Sequence, residues 1–306
     1  MQRRDFRPQT IDGPLVEDLQ QLVRMAIRED LERSIDLTTA ALIPDGGRGE
    51  AAIVSRSVGI AAGVELADAI LEQFDTPIEL EPHVGDNQPL EPGLPLLTLR
   101  GPIRDLLVAE RTLLNILARL CGIASLTAKY VRRVEHTAAR VYDTRKTTPG
   151  WRRLEKYAVR CGGGHTHRMG LYDAVLIKDN HLAAAGADGR PLDAGEAVRR
   201  ARDFLASAAI PGHEGVIVEV EIDRVSQLES ALRAGPDIVL LDNMSLGDLR
   251  ECVQRRDLLN RRVELEASGG VNLETISLIA ETGVERISVG SLTHSATQLD
   301  LGLDWR

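Results

Sequence analysis

The sequence is poor in several features that would assign a chain to a familiar class of protein. Aromatic residues make up only 3% of its 306 residues, so we expect a core of aliphatic side chains and alanine. Its three cysteines, Cys121, Cys161 and Cys252, are odd in number and far apart, which does not suit a disulfide framework. They are typical of free thiols in a reducing compartment, and we therefore expect a cytoplasmic protein.

Long apolar runs and a positive charge balance are also absent. No apolar stretch is long enough to span a membrane, and the opening residues, MQRRDFRPQT, lack an apolar signal core. The formal net charge of -9 argues against nucleic acid, because a nucleic-acid partner favours a basic surface. We therefore expect neither a membrane nor a nucleic acid as a partner.

The motifs of several common enzyme classes are missing as well. The sequence contains no glycine-rich dinucleotide motif after a strand, no P-loop, no HExxH and no GxSxG. Nicotinamide-dependent hydride transfer, P-loop use of ATP and hydrolysis by a catalytic triad therefore lose support. What remains is a chain with 43% hydrophobic and 27% charged residues, long enough for one large α/β unit and a smaller domain.

The first part of the chain mixes helical and strand-like patterns. Apolar residues at helical spacing predict a helix over 15–31, with an aspartate and a proline at its start. Short β-like runs within 50–100 surround a predicted helix over 65–74, so this part is a compact α+β unit. A longer helical block covers 103–135, and we expect Gly122 to divide it into two helices.

Six short apolar runs in the second half each end on a polar or glycine-rich group. Stretches of helical periodicity separate them, so the chain alternates strand and helix from about residue 141 to 290. This pattern predicts a parallel α/β barrel, in which the carboxyl ends of all strands meet at the edge where chemistry usually lies. The six runs are ARVYDTRK, DAVLIKDNH, GVIVEVEI, DIVLLDN, VELEASGG and RISVGS.

Positive side chains follow the first two of these runs. Arg145 and Lys146 end the first run, and Lys178 ends the second. Between them, the glycine-rich segment GGGHTHR carries His167 and Arg168. Guanidinium groups bind planar carboxylates in a bidentate manner, so this set suits a substrate with two negative charges. The alternative is a set of surface ion pairs.

The same segment also permits a zinc site, with Cys161, His165 and His167 as ligands. Structural zinc sites normally have four ligands at recurring spacing, and the sequence contains no second Cys/His pair. We therefore prefer to interpret the three consecutive glycines as a loop that approaches a ligand closely, because only glycine gives that backbone freedom.

Carboxylates end the third and fourth runs, at Glu221 and Asp242. Such groups can hold Mg²⁺ or the hydroxyls of a ribose, and the alternative is a pair of solvated rim carboxylates. Glu219 and Glu221 alternate with apolar residues, so either both face the barrel interior or neither does. The last two runs end on EASGG and SVGS, whose backbone N–H groups could hold a phosphate; tight turns are the alternative.

A further group of polar residues lies on the long helical block. Arg111, Asn115 and Arg119 share one face of the helix RTLLNILARL. An arginine at this face could complete the cation set. A polar surface stripe is the alternative, and helical spacing is the same for both interpretations.

Taken together, these motifs resemble the quinolinate phosphoribosyltransferase family, the carboxylating nicotinate-nucleotide pyrophosphorylases. The match extends over nearly the whole chain and includes AERTLLNILARLCGIAS, DTRKTTPG, GGGHTHRMGLYDAVLIKDNH, VEVE, DIVLLDNMS, EASGGV and ISVGSLTHSA. The resemblance implies an α/β protein with an N-terminal α/β sandwich domain over 1–120 and a C-terminal open barrel of about six parallel strands over 121–291. It also implies that 292–306 packs back on the first domain, and that the chain forms a homodimer.

The resemblance further implies a role for each residue of the site. The quinolinate carboxylates would be bound by Arg145, Lys146, His167, Arg168 and Lys178, and by Arg111 from the partner subunit. Thr144 would also be a substrate-binding residue. The ribose hydroxyls and Mg²⁺ would be contacted by Glu221 and Asp242, the metal either directly or only through the bound pyrophosphate. The 5-phosphate would be held by Ser268, Gly269, Gly270, Gly290 and Ser291, with His294 close by. The implied catalytic residues are Lys146, Lys178, Glu221 and Asp242.

The implied reaction is the transfer of a phosphoribosyl group from 5-phosphoribosyl 1-pyrophosphate to quinolinate, with decarboxylation. Its products would be nicotinate mononucleotide, CO₂ and pyrophosphate, in de novo NAD biosynthesis, with Mg²⁺ as cofactor. Two alternatives stay open. One is a Schiff-base aldolase in which Lys178 is the nucleophile. The other is a non-catalytic or differently specific relative, such as the barrels associated with molybdenum transport.

Overall fold

The computed structural model of the protein describes residues 5–207 and 215–306. Its β-strands are β1 Arg48–Ser55, β2 Gly59–Ile60, β3 Glu79–Pro82, β4 Pro89–Leu90, β5 Pro95–Pro102, β6 Arg140–Tyr142, β7 Val175–Ile177, β8 Val218–Ile222, β9 Ile238–Asp242, β10 Glu264–Ser268, β11 Arg286–Ser288 and β12 Leu301–Trp305. Its α-helices are α1 Gly13–Leu31, α2 Leu37–Leu42, α3 Ala67–Leu71, α4 Ile103–Val134, α5 Arg152–Cys161, α6 Asp179–Ala184, α7 Ala194–Ser207, α8 Leu228–Ala234, α9 Leu246–Leu259, α10 Ile276–Ala280 and α11 Ser291–His294.

The chain folds into two compact units, which we call the barrel unit and the second unit. The barrel unit comprises the described residues of Met1–Pro8, Tyr130–Arg145 and His165–Gly290. The second unit comprises Gln9–Lys129, Lys146–Gly164 and Ser291–Arg306. Each unit is thus built from three stretches of chain, and the sequence-based boundary at residue 120 stays a prediction. Among the described helices, none is both long enough and apolar enough to cross a membrane.

The barrel unit is built on one sheet of six parallel strands, in the order β6-β11-β10-β9-β8-β7. Each strand coincides with one of the six apolar runs, so the predicted open parallel barrel is confirmed. Most residues of β8 to β11 are buried, as expected for parallel strands covered on both faces. Beside the outer strand β6, the His165 N–H donates to the Val141 carbonyl at 2.8 Å, so the chain at His165 runs parallel to β6.

Local capping signals fix where helices of the barrel unit begin and end. The Ser245 hydroxyl accepts a hydrogen bond from the Asp248 N–H at 3.2 Å and starts α9. The Asp248 carboxylate accepts one from the Ser245 N–H at 3.3 Å, which completes a capping box. α8 ends at Gly235, whose φ of 70° is the left-handed conformation that favours glycine. These two caps bound the segment that contains β9, whose last residue, Asp242, is a predicted site residue.

The second unit contains a four-stranded antiparallel sheet, in the order β12-β1-β5-β3. β12 pairs with β1, so residues 301–305 are part of this sheet. The helix predicted over 15–31 is confirmed as α1, and the Asp12 carboxylate caps it by accepting a hydrogen bond from the Leu15 N–H at 2.9 Å. The helix predicted over 65–74 is present as α3 flanked by two short 3-10 turns.

One expectation from the sequence is wrong. Gly122 does not divide the long helical block, because α4 is continuous from Ile103 to Val134. A Cβ added at Gly122 would lie 2.0 Å from the carbonyl oxygen of Thr297. The glycine is therefore needed for the close approach of another backbone segment to the helix, and its conformational freedom is not used to break it.

Candidate active site

The strand ends of the barrel unit bring one predicted cation into contact with one predicted carboxylate. Lys178 follows β7, Glu221 lies in β8, and these strands are neighbours. The Lys178 ammonium donates to Glu221 Oε2 at 2.7 Å. The lysine side chain is 45% exposed and the glutamate side chain 11%, so the pair lies at the rim of the barrel. The Lys178 N–H also donates to Nδ1 of His181 at 2.9 Å, a contact that sequence reasoning missed.

Asp242, the last residue of β9, is held by its neighbour Asn243. Asn243 Nδ2 donates to Asp242 Oδ2 at 2.9 Å, and the Asn243 N–H donates to the Ser268 carbonyl at 2.9 Å. Asn243 has a φ of 52°, a left-handed conformation that asparagine tolerates better than most residues. Sequence reasoning missed Asn243, although an asparagine directly after a strand-end aspartate is a usable signal. Its contacts orient the Asp242 carboxylate.

The glycine turn after β10 is shaped to fit Asn243. Gly269 has a φ of 91°, and a Cβ added there would lie 2.2 Å from Asn243 Oδ1. Gly270 has a φ of 61°, but a Cβ there would meet open space. Backbone conformation therefore favours glycine at both positions, and close contact requires it at Gly269. Because α10 begins only at Ile276, this turn is not itself a helix N-terminus, and its binding of a phosphate stays a prediction.

Two arginines of the predicted carboxylate-binding set lie close together in the barrel unit. Arg168 is buried, and its Nη1 donates to the Ala174 carbonyl at 3.3 Å. Burial lowers the pKa of Arg168, and the nearby positive charge of half-buried Arg145 lowers it further. Thr144, which precedes Arg145, is half-buried as well. Like charges held together in this way create a local potential that favours a bound anion.

His167 lies in the interior of the barrel. Its Nε2 is 3.2 Å from Glu219 Oε2 and 3.3 Å from Glu266 Oε1, and its Nδ1 accepts a hydrogen bond from the Arg168 N–H at 2.8 Å. Burial lowers the pKa of His167, whereas the charges of Glu219 and Glu266 raise it. The hydrogen bond from Arg168 opposes this rise, because a ring protonated on Nδ1 cannot accept it. The geometry is therefore that of a neutral ring whose Nε2–H lies between the two carboxylates. Contact of His167 with quinolinate stays a prediction.

Below this histidine, the barrel interior contains a buried ionic network that sequence reasoning missed. Arg286 Nε donates to Glu266 Oε2 at 2.8 Å, and its Nη1 donates to Glu264 Oε2 at 3.2 Å. Burial raises the pKa of Glu219, whereas for Glu266 the contacts with His167 and with the Arg286 guanidinium outweigh burial and lower the pKa. The usable signal was the run VELEA, because charged residues inside a buried strand must find partners.

Neither of two candidate metal sites in this part of the molecule is well suited to a cation. Among the described residues, His167, Glu219 and Glu266 form the group whose ligand atoms are close enough to hold a metal ion. The Arg286 guanidinium already binds Glu266, and its positive charge opposes a cation there. The zinc alternative with Cys161 is also disfavoured, because burial raises the pKa of that thiol to about 12 and so disfavours the thiolate that zinc binds.

Four predicted site residues belong to the second unit. Lys146 is exposed, and its carbonyl accepts a hydrogen bond from Thr293 Oγ1 at 2.7 Å. Ser291 begins α11, and His294 ends it. Gly290, the residue before Ser291, is the last of the barrel unit. Arg111 is 64% exposed at its side chain, with Nη2 3.5 Å from the Glu110 carboxylate.

Arg111 and Arg119 have different roles, although they share a face in the sequence pattern. Arg119 Nη2 donates to Glu155 Oε1 at 2.7 Å, and its Nη1 donates to the Ala296 carbonyl at 2.9 Å. Arg119 is therefore half-buried and bound within the second unit, whereas Arg111 and Asn115 are exposed. Arg111 stays accessible to another molecule.

These features define a parallel α/β-barrel protein with clustered cations and strand-end carboxylates, a class suited to anionic substrates. The chain belongs to the quinolinate phosphoribosyltransferase family. The profile of the family's N-terminal domain matches residues 36–121, and that of its C-terminal domain matches residues 123–304.

Individual relatives agree with this assignment. The chain is 43% identical over 284 residues to a nicotinate-nucleotide pyrophosphorylase (carboxylating) of Mycobacterium leprae. The matched region covers 92% of this chain and 95% of that protein. It is 39% identical over 286 residues to the probable enzyme of that name from Bacillus subtilis, covering 94% of this chain and 93% of that one. Among solved structures, the nicotinate-nucleotide pyrophosphorylase of Francisella tularensis matches with a TM-score of 0.86 at 32% identity, over 99% of this chain and 100% of that chain.

Proposed function

We propose that the chain transfers the phosphoribosyl group of 5-phosphoribosyl 1-pyrophosphate to quinolinate, releasing pyrophosphate and CO₂ and forming nicotinate mononucleotide in de novo NAD biosynthesis. The observation that carries the proposal is the placement of half-buried Arg145, buried Arg168 and partly exposed Lys178 in one barrel unit, with Lys178 2.7 Å from Glu221. Quinolinate has carboxylates on adjacent ring atoms, and two guanidinium groups with an ammonium match such a ligand. The names of the relatives support the same reaction.

In the proposed reaction, the pyridine nitrogen attacks C1 of the ribose, and the bond from C1 to the pyrophosphate oxygen breaks. The sugar is positively charged in the transition state, and Glu221 and Asp242 would stabilise it electrostatically. The ring nitrogen then carries a positive charge. When CO₂ leaves from C2, the electron pair stays beside that charge, and a proton from Lys178 or from water completes the product. The protein mainly aligns the reactants and excludes water.

Lys178 changes its partner in this proposal. The Lys178 ammonium donates to Glu221 Oε2 at 2.7 Å. A quinolinate carboxylate would take over the ammonium, and Glu221 would then be available to the ribose hydroxyls. Because the lysine is partly exposed, losing the ion pair costs only about 0–1 kcal/mol. Binding of quinolinate would therefore prepare the carboxylate side of the site.

The carboxylates at the strand ends fit Mg²⁺ as a cofactor. Glu221 and Asp242 lie on the neighbouring strands β8 and β9 and offer oxygen ligands, which Mg²⁺ prefers. When bound with pyrophosphate, Mg²⁺ would neutralise the charge of the leaving group. Asn243 would keep the Asp242 carboxylate oriented toward this task.

We further propose a homodimer in which Arg111 of one subunit completes the site of its partner. The exposure of Arg111 supports this role, because an arginine engaged within its own unit, as Arg119 is, could not reach a second molecule. A cytoplasmic location is part of the same proposal. Burial raises the pKa of Cys121 and of Cys161 to about 12, so both stay as thiols, which suits a reducing compartment.

The two alternatives have less support. A Schiff-base aldolase needs a neutral nucleophilic lysine, but the Lys178 amine is engaged by Glu221. The neighbouring arginines suit a dianion better than a carbonyl compound. A non-catalytic barrel would use the same residues to bind an anion, so only an activity measurement separates it from the enzyme.

One incubation tests all three functions. The protein is mixed with carboxyl-labelled quinolinate, 5-phosphoribosyl 1-pyrophosphate and Mg²⁺, and both released CO₂ and the mononucleotide are measured. Equal amounts of the two products are expected, and nicotinate, which lacks the 2-carboxylate, should replace quinolinate poorly. Binding of both ligands without any product would contradict the proposal and favour the binding protein. Borohydride trapping of a carbonyl compound on Lys178 would favour the aldolase.

A further inference from the structure

The residues that precede α1 place an aspartate at the amino ends of two barrel strands. Asp5 Oδ2 accepts hydrogen bonds from Arg140 Nη1 at 2.8 Å and from the Tyr142 hydroxyl at 2.9 Å. Asp5 Oδ1 accepts one from Arg286 Nη1 at 3.0 Å. Arg140 and Arg286 are the first residues of β6 and β11, so Asp5 lies at the end of the barrel opposite the candidate active site.

The next residue reaches three further strands at the same end. Phe6 is buried in a cluster with Ala174, Ile217 and Ile238. Ala174 and Ile217 come directly before β7 and β8, and Ile238 begins β9. Arg286 provides the link to β10, because it binds Glu264, the first residue of that strand. Asp5 and Phe6, which we call the leader plug, therefore contact residues at the amino ends of β6, β7, β8, β9 and β11, and are linked to β10 only through Arg286.

The leader plug also touches a residue of the predicted substrate site. The rings of Phe6 and His167 stack with their centroids 4.5 Å apart and their planes at 29°. The Arg286 guanidinium lies 5.2 Å from the Phe6 ring centroid. The Nε2 edge of the His167 ring faces Glu219 and Glu266, so the ring is held by Phe6 on one face and by the two carboxylates at this edge.

We propose that the leader plug is a positioning element for the active site, because it fixes the His167 ring that in turn holds the backbone of Arg168. Two contacts connect Phe6 to Arg168. Phe6 stacks on His167, and His167 Nδ1 accepts the hydrogen bond from the Arg168 N–H at 2.8 Å. Arg168 is one of the arginines expected to bind quinolinate. The effect of the plug on catalysis rests on the proposed function, whereas its effect on the histidine ring does not.

The chemistry of the ring explains why its support matters. Nδ1 can accept the Arg168 hydrogen bond only if the ring proton stays on Nε2, between Glu219 and Glu266. The Phe6 ring covers one face of the imidazole and excludes water, which strengthens the electrostatic preference for that arrangement. If water enters in place of Phe6, both ring nitrogens gain alternative partners. Arg168 then loses its fixed backbone position.

Phe6→Ala is the main test, with Arg7→Ala as a matched control because Arg7 is the exposed next residue. In the ligand-free full-length protein, ¹⁵N NMR of the His167 ring should show a single Nε2–H tautomer in the parent and in Arg7→Ala. Phe6→Ala should show averaged tautomers. In the activity assay, Phe6→Ala should raise the KM for quinolinate by about 2- to 10-fold, as expected for the loss of one aromatic contact, with little change in the KM for the phosphoribosyl donor.

Two further variants keep the test decisive if Phe6→Ala unfolds. Phe6→Leu preserves apolar cover but removes the stacked ring, and Asp5→Asn preserves shape but removes the charge that Arg140 and Arg286 bind. Either should reproduce the change in the His167 spectrum in a weaker form. A lowered melting temperature with an unchanged His167 spectrum and an unchanged KM for quinolinate would overturn the proposal and leave a purely structural plug. If the parent protein shows no turnover, the spectrum and the quinolinate affinity still decide this proposal, while the proposed function fails.

Discussion

Replacing Lys178 by methionine separates the folding role of its ion pair from its catalytic role. The Lys178–Glu221 contact is short, at 2.7 Å, but the lysine side chain is 45% exposed and the glutamate 11%. Solvent screens such a pair, so its loss should lower the free energy of unfolding by only about 0–1 kcal/mol. Methionine retains most of the apolar stem of lysine, which limits other effects on packing.

The same change should have a much larger effect on turnover. A charge-assisted hydrogen bond to a substrate carboxylate contributes about 1.5–3 kcal/mol, which corresponds to roughly 10- to 150-fold in kcat/KM. If Lys178 also protonates C2, the loss will be greater still, because general acid catalysis contributes typically 10²–10⁴-fold. We therefore expect Lys178→Met to lose at least about tenfold in kcat/KM, on the hydrogen bond alone.

The measurement combines urea unfolding with steady-state kinetics of CO₂ release. Lys129→Met is the matched control, because Lys129 is an exposed lysine on α4 that is not part of the predicted site. It should leave both stability and activity unchanged. Near-normal activity in Lys178→Met and in Arg145→Ala, with both proteins folded, would refute the site assignment. A loss of activity that merely follows a loss of folded protein would refute the argument from the exposed ion pair.

Three further predictions follow from single features of the structure. Gly269→Ala should lower the free energy of unfolding more than Gly270→Ala, because both glycines have a positive φ but only a Cβ at Gly269 would contact Asn243. Chemical unfolding of the two variants measures this difference, and equal losses of stability would contradict the prediction. The contacts with His167 and Arg286 lower the pKa of Glu266 below its ordinary value of 4.5, so the stability that the carboxylate contributes is present above pH 4.5 and is lost as the pH falls below that value. Acid unfolding of Glu266→Gln should lack this part of the pH dependence, and an unchanged pH dependence would contradict the prediction. Inactive Arg111→Ala and Lys178→Met subunits, mixed and reassembled, should regain about a quarter of parent activity, because half of the dimers are mixed and each has one intact site. No recovery would place Arg111 outside the partner's site.

The barrel strands could be predicted from sequence because their signals are local. Each run is apolar over most of its length, is bounded by polar or glycine residues, and is separated from the next by a helical pattern. In a parallel sheet, this information also fixes that all strand ends share one edge. The Lys178–Glu221 contact follows from that rule, since the two residues end neighbouring strands.

The features that sequence reasoning missed depend on contacts between distant parts of the chain. Gly122 has the local signature of a helix break, but the carbonyl of Thr297 that requires a glycine there is 175 positions away. Asn243 matters because its side chain contacts the turn at Gly269, which follows the neighbouring strand β10. The leader plug could not be predicted either, because nothing in the neighbouring sequence distinguishes Phe6 from an exposed residue among the polar opening residues.

The buried network is better understood as a support for the site than as a source of stability. Burying charged groups is costly, and apolar residues of similar size often stabilise a core equally well. In this barrel, the buried glutamates continue directly into predicted site residues on the same strands: Glu219 lies two positions before Glu221, and Glu266 lies two positions before Ser268. Side chains two apart on a strand share one face, so fixing the inner residue also fixes the direction of the outer one. His167 adds a third connection through the Arg168 backbone, which supports the positioning role proposed for the leader plug.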